Sequence, residues 1–177
     1  MLLVGFDSTG SDAGAWIWNG NAWGNQQELT AAATATGGAE AQDGRYASDG
    51  SIAMAVGGYS TAGNIAVFHW TGSGWTDTTD FDIDAGDSLD LKSIRLRSDP
   101  VTDDLQAVFV DSGSDLGTAY WSGSSWTVTS NIDTAVDANA MMPADFEWNH
   151  TGSIGTLVWD TDTTSATLSN RTCSPSC

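Results

Sequence analysis

The stretch Trp-Thr-Gly-Ser-Gly-Trp at residues 70–75 decides the fold, because its pattern occurs three times along the chain. The other copies are Trp-Asn-Gly-Asn-Ala-Trp at 18–23 and Trp-Ser-Gly-Ser-Ser-Trp at 121–126. The first tryptophans lie 52 and 51 residues apart. A fixed period near 50 residues indicates that one structural unit is repeated along the chain.

Each copy has the composition of a β-hairpin. The residues between the tryptophans are small and polar, as tight turns require. Glycine occupies the same position in each copy, at Gly20, Gly72 and Gly123, which predicts a positive φ there. The flanking tryptophans are then expected to face each other across two antiparallel strands. Such a pair contributes about 0.5–1.5 kcal/mol beyond its buried area.

The tryptophans have two interpretations, as clamps that hold each repeat together or as part of a ligand platform. The platform hypothesis takes the first tryptophan of each copy and the polar residue six positions before it. These candidate ligand-binding residues are Trp18, Trp70, Trp121, Asp12, Asn64 and Asp115.

The rest of the chain divides into short strands separated by turn residues, which is typical of an all-β protein. Strands are predicted at 2–6, 15–18, 23–29, 45–48, 51–56, 64–70, 75–81, 93–97, 105–110, 118–121, 126–132, 145–148, 154–159 and 165–170. Four strands in about 50 residues match a β-propeller blade. A two-sheet sandwich would explain the strands but not the period.

We therefore predict one domain over 1–177, with a partial blade at 1–30, blades at 41–82 and 90–133, and a partial blade at 143–177. Four such blades could form a small ring or part of a larger one. The chain begins at what matches a second strand, so a leader and a first strand are expected outside this sequence.

Charge excludes two classes of partner. The chain has 23 acidic and 5 basic residues and a formal net charge of -18. Nucleic-acid binding needs a basic patch, and an anionic membrane surface would repel this chain. No stretch reaches the 18 apolar residues that suggest a membrane-spanning helix. The two cysteines at the end of the chain are compatible with an oxidising compartment, and the chain is expected outside the cell or at its surface.

The phrase Ala-Tyr-Trp-Ser-Gly-Ser-Ser-Trp at 119–126, which follows Leu-Gln-Ala-Val-Phe-Val-Asp at 105–111, resembles repeats of large secreted bacterial proteins. The hairpin pattern is also similar to the blades of fucose-binding propeller lectins. That resemblance implies a sugar site made of an arginine, an acidic residue and an aromatic residue from adjacent blades. The residues of this chain that could correspond are Arg45, Arg95, Arg97 and Glu147.

Catalytic motifs are not found in the sequence, so the chain is predicted not to be an enzyme. His69 occupies a strand position filled by Ile17 and Tyr120 in other repeats, which favours packing. A glycosidase-like propeller is the third alternative, since 23 acids can form many carboxylate pairs.

One acidic run suggests a metal. Asp80, Asp82, Asp84 and Asp87 could offer oxygen ligands to calcium, although the run matches a calcium loop poorly. The other interpretation is a solvated strand edge, so no cofactor is expected unless calcium binds here.

The last repeat departs from the pattern, since alignment places Asn170 at the first tryptophan and Pro175 at the second. A disulfide between Cys173 and Cys177 could replace the missing pair; the alternative is a loose tail with free thiols. The sequons at Asn149 and Asn170 would permit glycosylation.

The function favoured by the sequence is therefore that of an extracellular, non-catalytic propeller module with a structural, surface-assembly or adhesion role. Its partners would be other copies of itself or neighbouring surface proteins. The main alternative is a carbohydrate-binding propeller that contacts glycans.

Overall fold

The computed structural model describes residues 1–7, 12–30, 40–58, 63–78, 80–83, 91–137, 142–161 and 167–177. Every regular element within these ranges is a β-strand, and no helix there could cross a membrane. The strands are β1 (Leu2–Asp7), β2 (Asp12–Trp18), β3 (Trp23–Thr30), β4 (Gln42–Tyr46), β5 (Ala53–Gly58), β6 (Asn64–Trp70), β7 (Trp75–Asp77), β8 (Phe81–Asp82), β9 (Leu91–Ser98), β10 (Leu105–Asp111), β11 (Leu116–Trp121), β12 (Trp126–Asp133), β13 (Ala144–Trp148), β14 (Gly155–Asp160) and β15 (Leu168–Cys173).

The strands form four antiparallel sheets in chain order. The first sheet is β1-β2-β3, the second β4-β5-β6-β7 with β8 also paired to β6, the third β9-β10-β11-β12 and the fourth β13-β14-β15. Each sheet is a meander in which consecutive strands pair. The protein is thus an all-β array of propeller-like blades, as the repeat predicts, and the blades do not close into a ring.

The hairpin prediction is confirmed in all three copies. Each pair of tryptophans is directly opposed in register. The ring centroids are 5.5 Å apart in every copy, with interplanar angles of 49–60°. The glycine after the first loop residue has a positive φ each time, 101° at Gly20, 91° at Gly72 and 87° at Gly123.

The sheets pack face to face, and each interface has its own apolar cluster. Small residues of the first sheet, such as Ala13 and Ala15, meet the second sheet around Ala55. A larger cluster joins the second and third sheets, and another joins the third and fourth. Leu29, Phe81 and Ile132, at matching positions six residues after the second tryptophan, each contribute to one of these clusters.

The predicted strand at 75–81 is wrong as a continuous element. The chain leaves the ladder after Asp77, and the backbone N–H and hydroxyl of Thr78 both donate to the Val67 carbonyl. Pairing with β6 resumes at Phe81. The first and third sheets show register shifts in the corresponding pairing, so the irregularity belongs to the repeat and is largest in the second sheet.

The fourth sheet replaces the tryptophan hairpin with a disulfide between Cys173 and Cys177. Cys173 pairs with Gly155, which pairs with Trp148, just as Trp70 pairs with a residue that pairs with Tyr46. Cys173 therefore corresponds to the first tryptophan of the motif. The alignment that placed Asn170 there is wrong by three residues, because the hairpin of the last repeat has no tryptophans to mark the register.

Candidate functional site

A groove of about 600 Å³ lies where the second sheet ends against the hairpin of the third sheet. Its wall from the second sheet is the irregular segment after β7, and its other wall is the third tryptophan hairpin. The lining residues are Asp77, Thr78, Asp80, Phe81, Trp121, Ser124, Ser125 and Trp126. The groove therefore combines aromatic rings with carboxylates and hydroxyls, which is the usual mixture of a binding site for a polar ligand.

The aromatic wall is built by the repeat. Trp126 stands opposite Trp121 in the hairpin, and Phe81 of the preceding sheet lies against it with ring centroids 5.1 Å apart. Trp121 is only 7% exposed and belongs to the cluster between the sheets. Trp126 is partly exposed, so its ring can present a surface to the groove.

Both tryptophans of the groove have an indole N–H without a hydrogen-bond acceptor among the described residues. Tryptophans at the other sheet contacts differ. Trp75 donates to the Asn25 carbonyl at 2.6 Å, and Trp159 donates to an Asp133 carboxylate oxygen at 2.7 Å. An indole N–H normally finds a partner when it is buried, and these two nitrogen atoms are themselves buried, so the groove is lined by the rings of the tryptophans and not by their N–H groups.

Two carboxylates border the groove on the side of the second sheet, Asp77 and Asp80. Partial desolvation raises the pKa of Asp80 above its ordinary value of 3.8, and the charge of Asp77 raises it further, against the effect of a backbone hydrogen bond involving Val67. Carboxylate oxygens can accept from hydroxyl donors, and a hydrogen bond to a charged acceptor is stronger than a neutral one.

The sequence-based ligand candidates are brought together only in part. Trp121 lines the groove. Asp12 lies in a different, smaller hollow of about 140 Å³ on the first sheet, with Trp16 and Glu28. Trp70 is buried between the first and second sheets, and Trp18 pairs with Trp23 at the end of the first sheet.

The two remaining candidates, Asn64 and Asp115, lie at the beginning of the third strand of the second and third sheets. Asn64 pairs with Asp82, and Asp115 precedes β11 in the turn that closes onto Asp111. Neither residue lines either depression.

The arginines suggested by the lectin resemblance lie elsewhere, along the first strands of the sheets. Arg45 donates to the Leu96 carbonyl at 3.2 Å, and Arg95 forms an ion pair with Glu40. Both residues connect the second sheet to the third. They are absent from the lining of the groove.

Arg97 plays the same connecting part between the third and fourth sheets. It donates to both carboxylate oxygens of Asp145 at 2.7 and 2.9 Å and lies 3.5 Å from Glu147. The arginines and Glu147 thus join neighbouring sheets, and they do not form a cluster with the aromatic residues of the groove.

The calcium hypothesis stays a prediction. Asp80 borders the groove and Asp82 belongs to β8, whereas Asp84 and Asp87 lie outside the described residues. Within the described ranges, no group of three histidine, cysteine or acidic residues could hold a metal ion. The two sequon asparagines, Asn149 in the β13–β14 turn and Asn170 within β15, are both exposed.

Several groove residues were not among the sequence candidates: Asp77, Thr78, Phe81, Ser124, Ser125 and Trp126. A signal for them existed in the repeat. If successive blades stack, the end of one fourth strand must lie beside the hairpin of the next repeat, so residues 77–81 and 121–126 become neighbours. The individual repeat does not show this contact.

The chain was compared with solved structures, family models and curated proteins. A mutant of the Aleuria aurantia lectin in complex with α-methyl-L-fucoside matches over 98% of this chain, with 12% sequence identity and a TM-score of 0.45. This chain spans 63% of the length of that lectin. No protein-family model and no curated protein matches the sequence. Identity this low transfers no ligand, so what the groove can bind follows from its own side chains.

Proposed function

We propose that the chain is a non-catalytic carbohydrate-binding module that holds a neutral glycan in the groove between the second and third sheets. The observation that carries the proposal is the lining of the groove, where the partly exposed ring of Trp126 lies with the carboxylates of Asp77 and Asp80. A sugar suits both, since its hydroxyls donate to carboxylates and its C–H face can lie on an aromatic ring.

The aromatic surface supports the same ligand class. The apolar C–H face of a pyranose ring can lie on the partly exposed ring of Trp126, while Ser124 and Ser125 offer hydroxyls at the rim. Binding pockets usually combine such an apolar wall with a few polar groups that set orientation.

Charge selects among glycans. Two carboxylates border the groove, and the whole chain carries a formal net charge of -18. Uronic and sialic acids would be repelled by this field. Neutral sugars are therefore the expected ligands, and a surface or extracellular location would give the module access to them.

The decisive experiment is a glycan array followed by calorimetric titration with the best neutral glycan. The double variant Asp77→Asn with Asp80→Asn keeps the shape of both side chains but removes both charges. We expect it to weaken binding at least ~10-fold, because charge-assisted hydrogen bonds contribute roughly 1.5–3 kcal/mol each. Glu147→Gln is the matched control, since it also removes a carboxylate but lies outside the groove.

Acid provides a second signature. Lowering the pH should protonate Asp80 before an ordinary carboxyl group, because its pKa is raised. Affinity should therefore be complete near neutral pH. It should fall as the pH drops through the raised pKa of Asp80, which lies above 3.8. The proposal is wrong if no neutral glycan binds, or if the double variant binds as the original protein does. Loss of binding in Glu147→Gln would instead indicate that the glycan binds at the first strands of the sheets, where Glu147 lies.

A surface-assembly role is the second candidate. It is favoured by an apolar sheet face at one end of the molecule, which does not belong to the groove.

A further inference from the structure

The groove between the second and third sheets exists because β7 ends early. After Asp77 the chain leaves the ladder, and the Thr78 N–H and hydroxyl both donate to the Val67 carbonyl, at 3.0 and 2.9 Å. Pairing with β6 resumes at Phe81. This departure from the ladder leaves Thr78 and Asp80 on the wall of the groove.

The contact between the first and second sheets shows what a continuous strand does at the same place. Asn25 follows Trp23 by two residues, as Asp77 follows Trp75. Asn25 stays within β3, and its carbonyl accepts from the Trp75 indole N–H at 2.6 Å. The equivalent ring of the third sheet is that of Trp126, whose N–H has no acceptor among the described residues. The interruption of β7 therefore separates the second sheet from this ring and opens the groove.

The groove is closed at one end. The buried Phe81 lies there, with its ring centroid 5.1 Å from that of Trp126. Beyond Phe81, the Ser130 hydroxyl donates to the Ile83 carbonyl at 2.7 Å, which joins the third sheet directly to the second. A ligand cannot extend past this point without breaking the contact between the sheets.

The other end opens at the turn of the third hairpin. Ser124 and Ser125 occupy this turn and are both exposed, and so is Asp77 on the wall of the second sheet. A Cβ on Gly123, in the same turn, would meet nothing within 4 Å. A chain-like ligand can therefore continue past the turn into solvent.

The length of the groove exceeds that of one sugar ring. On the wall of the second sheet, Asp77 pairs with Phe68 and Phe81 pairs with Ile65. Phe68 and Ile65 are three residues apart in β6, which is about 10 Å at the usual rise of a strand. The volume is about 600 Å³, and pockets of about 300–1,000 Å³ bind drug-sized ligands. A single pyranose ring would fill only part of this space.

From this shape we infer that the groove binds the free end of a neutral oligosaccharide and holds at least two of its sugar units. The inference rests on the proposed glycan binding and adds the length and direction of the ligand. The terminal unit lies at the closed end, with its C–H face on the Trp126 ring. The next unit lies at the turn, where the hydroxyls of Ser124 and Ser125 can both donate and accept. The rest of the glycan leaves past the turn.

Calorimetric titration with a length series tests the inference. The probes are linear malto- and cello-oligosaccharides, from glucose to the hexasaccharide, and the corresponding fragments of the best neutral glycan on the array. Affinity should rise at least ~10-fold from the monosaccharide to the disaccharide, because the second unit adds hydrogen bonds at the turn. It should then level off, since further units lie in solvent.

A cyclic oligosaccharide tests the requirement for a free end. α-Cyclodextrin contains the same units and linkage as the linear malto-hexasaccharide but has no end. If the malto-series binds, the cyclic compound should bind at least ~10-fold more weakly than the linear one. The cyclic form of any other glycan that binds serves in the same way.

Two variants locate the second unit. Ser124→Ala with Ser125→Ala should weaken binding of the disaccharide and longer glycans at least ~3-fold, because it removes the turn hydroxyls, and leave monosaccharide binding unchanged. Ser73→Ala is the matched control, since Ser73 has the same turn position in the second hairpin and does not line the groove. It should bind the whole series as the original protein does.

The outcomes separate the length of the ligand from glycan binding itself. Equal affinity for the monosaccharide and the longer glycans overturns the inference and leaves the proposed function standing. Equal affinity for cyclic and linear forms does the same, and so does an unchanged series in Ser124→Ala with Ser125→Ala. If no neutral glycan binds, or if Asp77→Asn with Asp80→Asn binds the series normally, the proposed function fails and the inference fails with it.

Discussion

The first and fourth sheets both have three strands and both end the array, yet their outer faces differ. The first keeps the aromatic pattern of an inner blade, with Leu3 and Trp23 exposed. The fourth has Asp145 and Glu147 on its outer side and a disulfide where the others have paired indoles. A sheet that must face water needs its outer side altered and its hairpin held in another way. The first sheet has neither change.

The largest effect on stability is expected at the first tryptophan of the hairpin, which is buried at Trp70 and partly exposed at Trp18. Trp70→Ala should cost about 3–5 kcal/mol of unfolding free energy, since the side chain is 7% exposed and contacts the first sheet. Trp18→Ala removes the equivalent ring from a partly exposed position. It should cost about 1–2 kcal/mol, mostly the loss of its aromatic partner. Urea unfolding measures both, and equal losses would mean that the first-sheet face is covered in solution.

The disulfide tests the other side of the comparison. Cys173→Ala with Cys177→Ala should cost about 2–3 kcal/mol, because the bond closes a short loop and Cys173 is buried against the fourth sheet. Thermal unfolding of the original protein with and without reductant should give a loss of similar size. Reductant should not affect the alanine variant. Unchanged stability would show that the packing of the fourth sheet holds its hairpin without the bond.

A pair of glycines separates a covered face from an open one. A Cβ on Gly44 would run into the Val4 and Leu2 side chains of the first sheet. Gly44→Ala should therefore cost about 1–3 kcal/mol through overpacking. A Cβ on Gly5, on the open face, would meet only the Trp16 ring at an ordinary 3.6 Å. Gly5→Ala should be neutral or stabilise by up to about 1 kcal/mol, as denaturant titration would show.

The smallest effect concerns the ion pairs that join the third sheet to the fourth. Arg97→Met removes the contact of the Arg97 Nη2 with both carboxylate oxygens of Asp145, whose side chain is 60% exposed. Solvent screens such pairs, so the loss should be below about 1 kcal/mol. The difference between variant and original should shrink further in high salt. A loss that is larger and independent of salt would mean that the hydrogen bonds of the Arg97 guanidinium, such as the one to the Leu96 carbonyl, matter more than its screened charge.

The sequence predicted what is local to one repeat. The facing tryptophans, the positive φ of Gly72 and the bounds of β6 all follow from residues close together in the chain. It failed where a repeat loses its landmarks. Because the hairpin of the last repeat has no tryptophan pair, the position of Cys173 was misplaced by three residues. A strand has no other marker of register than its alternation and its turns.

Local sequence patterns could not predict the groove, for a related reason. Asp77 and Trp126 are 49 residues apart in the chain and meet only because one sheet packs on the next. Asp80 was noticed for its acidic neighbours in the sequence, whereas the structure places it beside an aromatic wall. To predict this contact, one must assume that successive blades stack on each other. Predicting the blades themselves is not enough.

The three tryptophan hairpins share a backbone shape, and open space surrounds the positions where Gly20, Gly72 and Gly123 would carry a Cβ. Only the intervening residues differ, and in the third hairpin Ser124 and Ser125 are the ones that reach the groove. The turn can therefore vary while the strands beneath it stay constant. New recognition properties could be introduced by exchanging two or three turn residues between hairpins, much as loops are exchanged on an antibody framework.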